Sequence, residues 1–275
     1  MKKILITGCS GYIGSHLVKM LADKYEVHGL DINVPQANGL REFYQHDIRK
    51  LIDIPTEFDC VIHLAALVNV GESERMPIQY YITNLNGTMN VINKIKTKNF
   101  IFASTGAAEG CGSAYGISKR AAEDVVREYC TQHNPKDYTT FRFYNVIGSD
   151  GFAPTNTDGL MHNLMQAKET GEFTIFGTDY GSYDGTCVRD YVHVNEICDA
   201  LRSAIEKPSN QIECLGHGVG HSVRDIVNLY KKVNNVDFTV KEDPRRKGDL
   251  AVSVLDNVSP YMKELYSLED LLRVS

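Results

Sequence analysis

Over the first half of the chain, short runs of apolar and β-branched residues alternate with longer stretches whose apolar positions recur every three or four residues. The runs predict strands at Lys3–Thr7, Glu26–Leu30, Cys60–Leu64, Asn99–Ala103 and Thr139–Tyr144. The longer stretches, Ile13–Lys24, Tyr80–Lys96 and Ala114–His133, predict helices with one buried stripe each. Such alternation predicts an α/β fold: a doubly wound parallel sheet covered on both faces. After Asn145 the texture changes. Gly, Pro, Asn and Asp crowd the segment Gly148–Gly159, and helical patterns at Leu160–Thr170, Val194–Glu206, Val223–Val233 and Ser267–Arg273 are joined by short polar loops. The expected organisation is a first domain over 1–147 and a smaller C-terminal substrate-binding lobe over 148–275, with part of 186–206 returning to the first domain.

Composition narrows the classes. With 275 residues, 43% of them hydrophobic, the chain can bury a substantial core without disulfides or metal. A net charge of -6 offers no general attraction to nucleic acid or to an anionic membrane surface, so an anionic substrate has to be held by local charges. Seven scattered cysteines, with no C-x-x-C pair, suggest reduced thiols. The opening MKKILITG is too short for a signal-peptide core, and no apolar run approaches a membrane span. A cytoplasmic protein is expected.

The first strand runs into a glycine turn and then a helix, the one context in which a glycine pattern is informative. Gly8, Gly11 and Gly14 would allow a tight turn, close approach of backbone to a pyrophosphate, and close packing of helix on strand. Asp31 ends the second strand, where a carboxylate accepts from a ribose hydroxyl and repels a 2′-phosphate. NAD is therefore favoured over NADP, and the first domain reads as a Rossmann domain. A turn serving topology alone is the competing account of the glycines.

Tyr115 and Lys119 stand four apart on a predicted helix and so share one face. An ammonium beside a phenol favours phenolate, which would serve as a base. The same spacing also occurs on solvent-facing helices. Ser104 and Thr105 lie at the carboxyl edge of a predicted parallel strand, where ligands bind in open α/β sheets; turn capping is the alternative role for both. His217 and His221 lie in a glycine-rich stretch that gives them no shared helical face, and no metal site is expected.

Taken together, GCSGYIGSHL, HDIR at His46–Arg49, HLAALVNVGES at His63–Ser73, NLNGT at Asn84–Thr88, KNFIFAST, YGISK, RFYNVIG at Arg142–Gly148, DYGSYDGTCVRDYVHV, LGHGVGHSV and PRRKGDL span nearly the whole chain. They resemble the extended short-chain dehydrogenases, and most closely the UDP-glucose 4-epimerases. By position, the resemblance implies that Tyr12, Ile13 and Asp31 bind the cofactor and that Asp47 and Ile48 border its adenine. Leu64, Ala65, Ala66 and Asn84 line its path, with Tyr144 beside both ligands. It implies Thr105, Tyr115 and Lys119 as the catalytic group, and Asn145, Arg189, Arg246 and Asp249 as the residues holding the nucleotide diphosphate and ribose of a UDP-sugar. Two arginines suit two phosphates because their donor forks match phosphate oxygens; surface salt bridges are the alternative.

The implied reaction is NAD-dependent inversion at C4 of the sugar through a 4-keto intermediate, by a homodimer. Only ten positions separate Thr105 from Tyr115, fewer than the family usually has. Val68 stands where a lysine is common, and Gly159 near a common asparagine. Ser253 falls where either a tyrosine or a small residue occurs, and a small residue leaves room for an N-acetyl group. The alternatives are another nucleotide-sugar enzyme of the fold, a 4-reductase, dehydratase or decarboxylase, and a non-catalytic NAD-binding protein. Gly106 and Ala107 after Thr105 lack the acidic pair of a dehydratase.

Overall fold

The computed structural model describes all residues except 51–52, 56, 134, 136, 149, 155, 157–158, 247–248 and 274–275. The chain divides into two compact units. Unit 1 holds Met1–Phe143 and Cys198–Glu213; unit 2 holds Tyr144–Ile197 and Cys214–Ser275.

Through the end of unit 1's first segment the elements are β1 (Lys3–Thr7), α1 (Tyr12–Leu21), β2 (Glu26–Asp31), β3 (Glu42–Gln45), β4 (Glu57–His63), α2 (Val70–Arg75), α3 (Pro77–Tyr80), α4 (Gly87–Lys94), β5 (Lys96–Thr105), α5 (Ala107–Gly110), α6 (Ala114–Gln132) and β6 (Asp137–Phe143). There follow β7 (Asn145–Ile147), α7 (Leu160–Thr170), β8 (Glu172–Phe176), β9 (Val188–His193), α8 (Val194–Glu206), β10 (Ile212–Leu215), β11 (Gly220–Ser222), α9 (Val223–Asn234), β12 (Thr239–Asp243), β13 (Val252–Ser253) and α10 (Leu268–Leu272).

The main sheet has seven strands among the described residues, in the order β10-β6-β5-β4-β1-β2-β3. It is parallel, with helices on both sides. This is the doubly wound α/β fold that the alternating pattern predicts. β1 lies between β2 and β4, with Thr7 opposite Leu30 on one side and His63 on the other. Phe100 and Phe102 point to one face of β5 and pack with Val91 and Ile92 of α4 and with Ala122 and Val126 of α6. Each such fully buried ring contributes roughly 2–3 kcal/mol of transfer free energy, so this face anchors α6, the helix that carries Tyr115 and Lys119.

The expected helix over Tyr80–Lys96 proves composite. Between α3 and α4 the backbone widens into a π-helical stretch, Tyr81–Asn86, a local distortion that re-aims one side chain. The apolar pattern does not predict β3 or α2, since four exposed or half-buried residues and a short polar helix carry no clear period.

Unit 2 holds strands where the sequence suggests only loops. β9 pairs antiparallel with β11 and parallel with β13 and β7, and β12 pairs parallel with β8. Two to six residues are too few for periodicity to show. Its core gathers Met161, Leu164 and Ala167 of α7 with Ile226, Val227 and Tyr230 of α9 and Phe173, Ile175 and Phe238. α9 is capped by Ser222, whose hydroxyl accepts from the Asp225 amide at 3.0 Å, and ends at Asn235 in the left-handed conformation.

Candidate active site

The glycine turn is built for contact at both ends. Gly8 has φ +76, and a Cβ there would lie 2.7 Å from the Ala65 nitrogen; a Cβ on Gly14 would collide with the Gly8 carbonyl. Any side chain at either position would push α1 or the segment after β4 out of place. α1 starts at Gly11 with no side-chain cap and no acidic residue in its first turn, so no carboxylate competes at its positive end. Tyr12 and Ile13 are half-buried in that first turn.

Asp31 accepts from the amide of Ser10 at 3.0 Å and from that of Asn33 at 2.9 Å, tying the glycine turn to the end of β2. Asp47 is gripped by the Arg49 guanidinium at 2.7–3.0 Å, which holds its carboxyl below the usual range. Ile48 is buried where a Cβ on Gly87 would strike it.

A chain of buried polar groups runs from β1 to α6. Thr7 Oγ1 lies 2.6 Å from His63 Nδ1, and His63 Nε2 lies 3.0 Å from Thr88 Oγ1. Thr88 spends its proton on the Asn84 carbonyl at 2.6 Å, so it accepts from His63, which must carry its proton on Nε2 and take the Thr7 hydroxyl proton on Nδ1. Burial, with the Lys119 charge adding to it, pushes the His63 pKa down to about 3, so the ring is neutral.

Asn84, on the π-helical stretch, accepts from the Leu67 amide at 2.8 Å and donates to the Leu67 carbonyl at 2.9 Å and to Ser118 Oγ at 3.1 Å. Ser118 in turn donates to the Tyr115 carbonyl at 2.8 Å. Both amide hydrogens of Asn84 are thus committed to fastening the wall formed by Leu64, Ala65, Ala66 and Leu67 onto α6.

Of the two strand-end hydroxyls, the structure separates the roles. Ser104 donates to Glu123 at 2.5 Å, and Glu123 is held by Arg142 at 2.9 and 2.7 Å, deep in unit 1. Ser104 is a structural hydroxyl. Thr105 accepts from the Ala107 amide at 3.2 Å, and its hydroxyl acts on the Tyr115 phenol in the direction that lowers its pKa. Burial pushes Tyr115 up to about 12, and the Thr105 hydrogen bond only partly opposes this. Lys119 is pulled down to about 7 by burial, with Glu123 opposing. Within the chain alone desolvation therefore dominates at the phenol, and the positive nicotinamide ring is the further charge that would favour its ionisation.

The short connection between Thr105 and Tyr115 is ordered by α5, where the Ala107 carbonyl packs so closely on Gly116 that no Cβ fits. Glu109 of α5 takes the Arg142 Nη1 donor at 3.0 Å, and Ser113 caps α6 through the Gly116 amide at 3.1 Å. Among the described residues nothing accepts a hydrogen bond from the Lys119 ammonium, which is 3% exposed. A bare glycine cradle at an uncapped helix start and a buried ammonium with no hydrogen-bond acceptor among the described residues, one helical turn from Tyr115, together fit a nicotinamide dinucleotide.

The other predicted residues lie in unit 2. Asn145 stands opposite Tyr191, and Arg189 opposite both His221 and Ser253. Registered partners and alternate residues share a face, so Asn145, Arg189, His221 and Ser253 line one side of this sheet. Asn145 also donates to the Asp190 carbonyl at 3.1 Å, and Arg189 Nη1 to that of Val188 at 2.9 Å. His221, weighed in the sequence only as a metal ligand, is the addition here; its neighbourhood depends on strand register, which the sequence does not display. Arg246 pairs with Asp249 at 2.9 Å and lies over the Phe176 ring at 5.0 Å. Tyr144 donates its amide to Leu215 at 3.1 Å. Val68 is largely exposed, and Gly159 caps α7.

Residues 4–215 match the model of the NAD dependent epimerase/dehydratase family. The UDP-glucose 4-epimerase of Haemophilus influenzae is 32% identical over 300 aligned positions, covering 92% of this chain and 89% of that protein. The alignment is longer than the chain itself, so that relative carries segments absent here.

A UDP-glucose-4-epimerase from Stenotrophomonas maltophila, solved with bound NAD and formylated UDP-arabinopyranose, superposes with a TM-score of 0.85 at 26% identity, covering 99% of this chain and 96% of that one. The UDP-Glc/GlcNAc 4-epimerase of Campylobacter jejuni superposes at 0.77 with 28% identity, covering 99% and 97%. With its glycine cradle, its Tyr115–Lys119 pair and a sequence match over most of its length, the chain belongs to the NAD dependent epimerase/dehydratase family.

Proposed function

We propose that this protein is an NAD-dependent epimerase inverting C4 of a UDP-sugar. The observation that supports the proposal is that β1 and β5 belong to one sheet of unit 1, β1 running into a turn with no room for a side chain at Gly8 or Gly14 and β5 ending at Thr105, while Tyr115 and Lys119 lie buried on α6. Gly8, Gly11, Tyr12, Ile13 and Gly14 would hold the pyrophosphate, Asp31 a ribose, Asp47 and Ile48 the adenine, and Leu64, Ala65 and Ala66 the wall. Bound NAD supplies a reversible two-electron acceptor for C4 of the sugar, and carries a positive nicotinamide ring. Lys119 would donate to the nicotinamide ribose, an acceptor its ammonium lacks among the described residues. With that added positive charge near it, Tyr115 ionises more readily and takes the proton of the sugar 4-hydroxyl, while Thr105 orients both. Tyr115 returns the proton after the 4-keto sugar has presented its opposite face.

Unit 2 is the substrate lobe in this reading. Arg189 and Arg246 hold the diphosphate, Asn145 and Asp249 the rest of the nucleotide, Tyr144 stands beside both ligands, and Ser253 leaves room for an N-acetyl group. Holding the diphosphate rather than the sugar leaves the ring able to turn. The C. jejuni enzyme named for both sugar types supports testing the N-acetylated donors. A homodimer in the cytoplasm completes the proposal. Exposed Ile78, Met89 and Ile117 on α3, α4 and α6 support pairing through those helices, and among the described residues no helix is long and apolar enough to cross a membrane.

The test incubates the protein with UDP-glucose, UDP-galactose or UDP-GlcNAc without added reductant, following C4 epimers by proton NMR. Epimers that vanish in Tyr115→Phe are expected. No conversion of any donor by NAD-loaded protein would sink the assignment.

A further inference from the structure

Lys119 is buried in a place that offers its charge almost nothing. Its Nζ lies 4.2 Å from the centroid of the Phe102 ring. Phe102 is fully buried on β5, and its opposite neighbour is the His63 ring of β4, with centroids 5.8 Å apart and an interplanar angle of 23°. The charged and titratable groups around this column are few. His63 is neutral, fixed by Thr7 and Thr88. Tyr115 and Glu123 come from α6 itself, and the Glu123 carboxylate is already taken by Ser104 and by Arg142 of β6. Among the described residues the negative face of the Phe102 ring touches the ammonium and, with the Glu123 charge, stabilises it, more strongly in a dry site than in water.

We infer that Phe102 is a positioning residue for catalysis, seating the Lys119 ammonium over its ring and keeping it charged at the place where Tyr115 needs a positive neighbour. The inference rests on the reading of Tyr115 and Lys119 as the working pair. It goes further in assigning part of the lysine's charge state to an apolar residue that sequence patterns place in the core. Burial, opposed by the Glu123 charge, draws Lys119 down to about 7, so loss of the ring face would leave it less charged at neutral pH. His63, opposite Phe102 in the β4–β5 pairing, packs its ring against it.

The test is to replace Phe102, in the NAD-loaded enzyme, with 4-fluoro-, 3,4,5-trifluoro- and pentafluorophenylalanine, which nearly preserve shape while draining the ring face of negative charge. kcat and KM for UDP-galactose are measured across pH, alongside Phe102→Leu and Lys119→Met. The alkaline limb of kcat is expected to move down stepwise with fluorination, by about one pH unit over the series, with KM unchanged. A limb that stays fixed through the series would overturn the inference. So would equal losses in the monofluoro and leucine proteins, because bulk rather than charge distribution would then be the ring's contribution. Wild-type turnover in Lys119→Met is a different failure, since it would remove Lys119 from the catalytic pair whatever the fluorine series does.

Discussion

In unit 2 the buried carboxylates are saturated by the chain around them, whereas in unit 1 the buried Lys119, one helical turn from Tyr115, has no hydrogen-bond acceptor among the described residues. Asp190 accepts from the amides of His217 and Gly218 at 2.8 Å and of Leu255 at 3.3 Å. Glu196 accepts from the amides of His193 and Leu265 and from the His217 ring at 2.8–2.9 Å. Burial works against the Glu196 carboxylate, but these donors outweigh it and hold its pKa below the usual range, while the bond to Glu196 raises that of His217. Lys119, by contrast, has an aromatic face and no acceptor among the described residues, and Tyr115 is made a weaker acid by its surroundings. Saturated polar clusters hold loops together, and an unsaturated one is cohesion withheld until a ligand supplies the missing contacts.

The largest break in this comparison should come from Tyr115→Phe. Removing the hydroxyl takes away proton transfer, worth roughly 10²–10⁴ in rate, and the thermal midpoint should hardly move because the ring remains. Glu196→Gln should do the reverse. It leaves the converging donors of His193, His217, Leu265 and Tyr266 facing a neutral amide, so we expect urea unfolding to show about 3 kcal/mol of destabilisation while kcat in the surviving folded fraction changes little.

The same ion pair makes a pH statement. The depressed Glu196 contributes stability that is present above its ordinary 4.5 and lost as pH falls through the lower folded value; the raised His217 contributes stability present below its ordinary 6.5 and lost as pH rises through the higher folded value. The wild-type advantage over Glu196→Gln should peak between those two values and shrink on both sides, measured by urea titrations at a series of pH.

Gly14→Ala comes next, since its Cβ would overlap the Gly8 carbonyl. A loss of about 1–3 kcal/mol, with NAD content of the purified protein reduced, is expected from unfolding curves and from absorbance after denaturation. The smallest effect belongs to the exposed Lys241–Glu172 pair joining β12 to β8 at 2.7 Å. Lys241→Ala should move the midpoint by about one degree at most.

Much of unit 1 is legible in the order of its residues. Strand, glycine turn and helix follow one another between Lys3 and Leu21, and a four-residue spacing puts Tyr115 and Lys119 on one helical face. What could not be read is which neighbour meets which. Ser104 and Thr105 are adjacent and chemically alike, and only the side of β5 on which each lies separates a hydroxyl committed to Glu123 from one that acts on the phenol. The Asn84 clamp depends on a π-helical widening that leaves no mark in the apolar period. In unit 2, β13 has two residues, β7 and β11 three, and the carboxylates of Asp190 and Glu196 gather amides up to 65 and 70 positions away. No local pattern encodes such distant partners.

From its residues alone this protein is a glycine-turn dinucleotide binder with a tyrosine–lysine pair, because backbone conformation and helical spacing are local properties carried by residue type and order. The tertiary structure decided the electrostatic state of that pair. Burial raises the phenol and lowers the amine, a phenylalanine from β5 becomes the surface on which the lysine rests, and the histidine behind it is locked in one neutral tautomer. Desolvation depends on everything packed around a group, and packing joins residues that the sequence keeps apart.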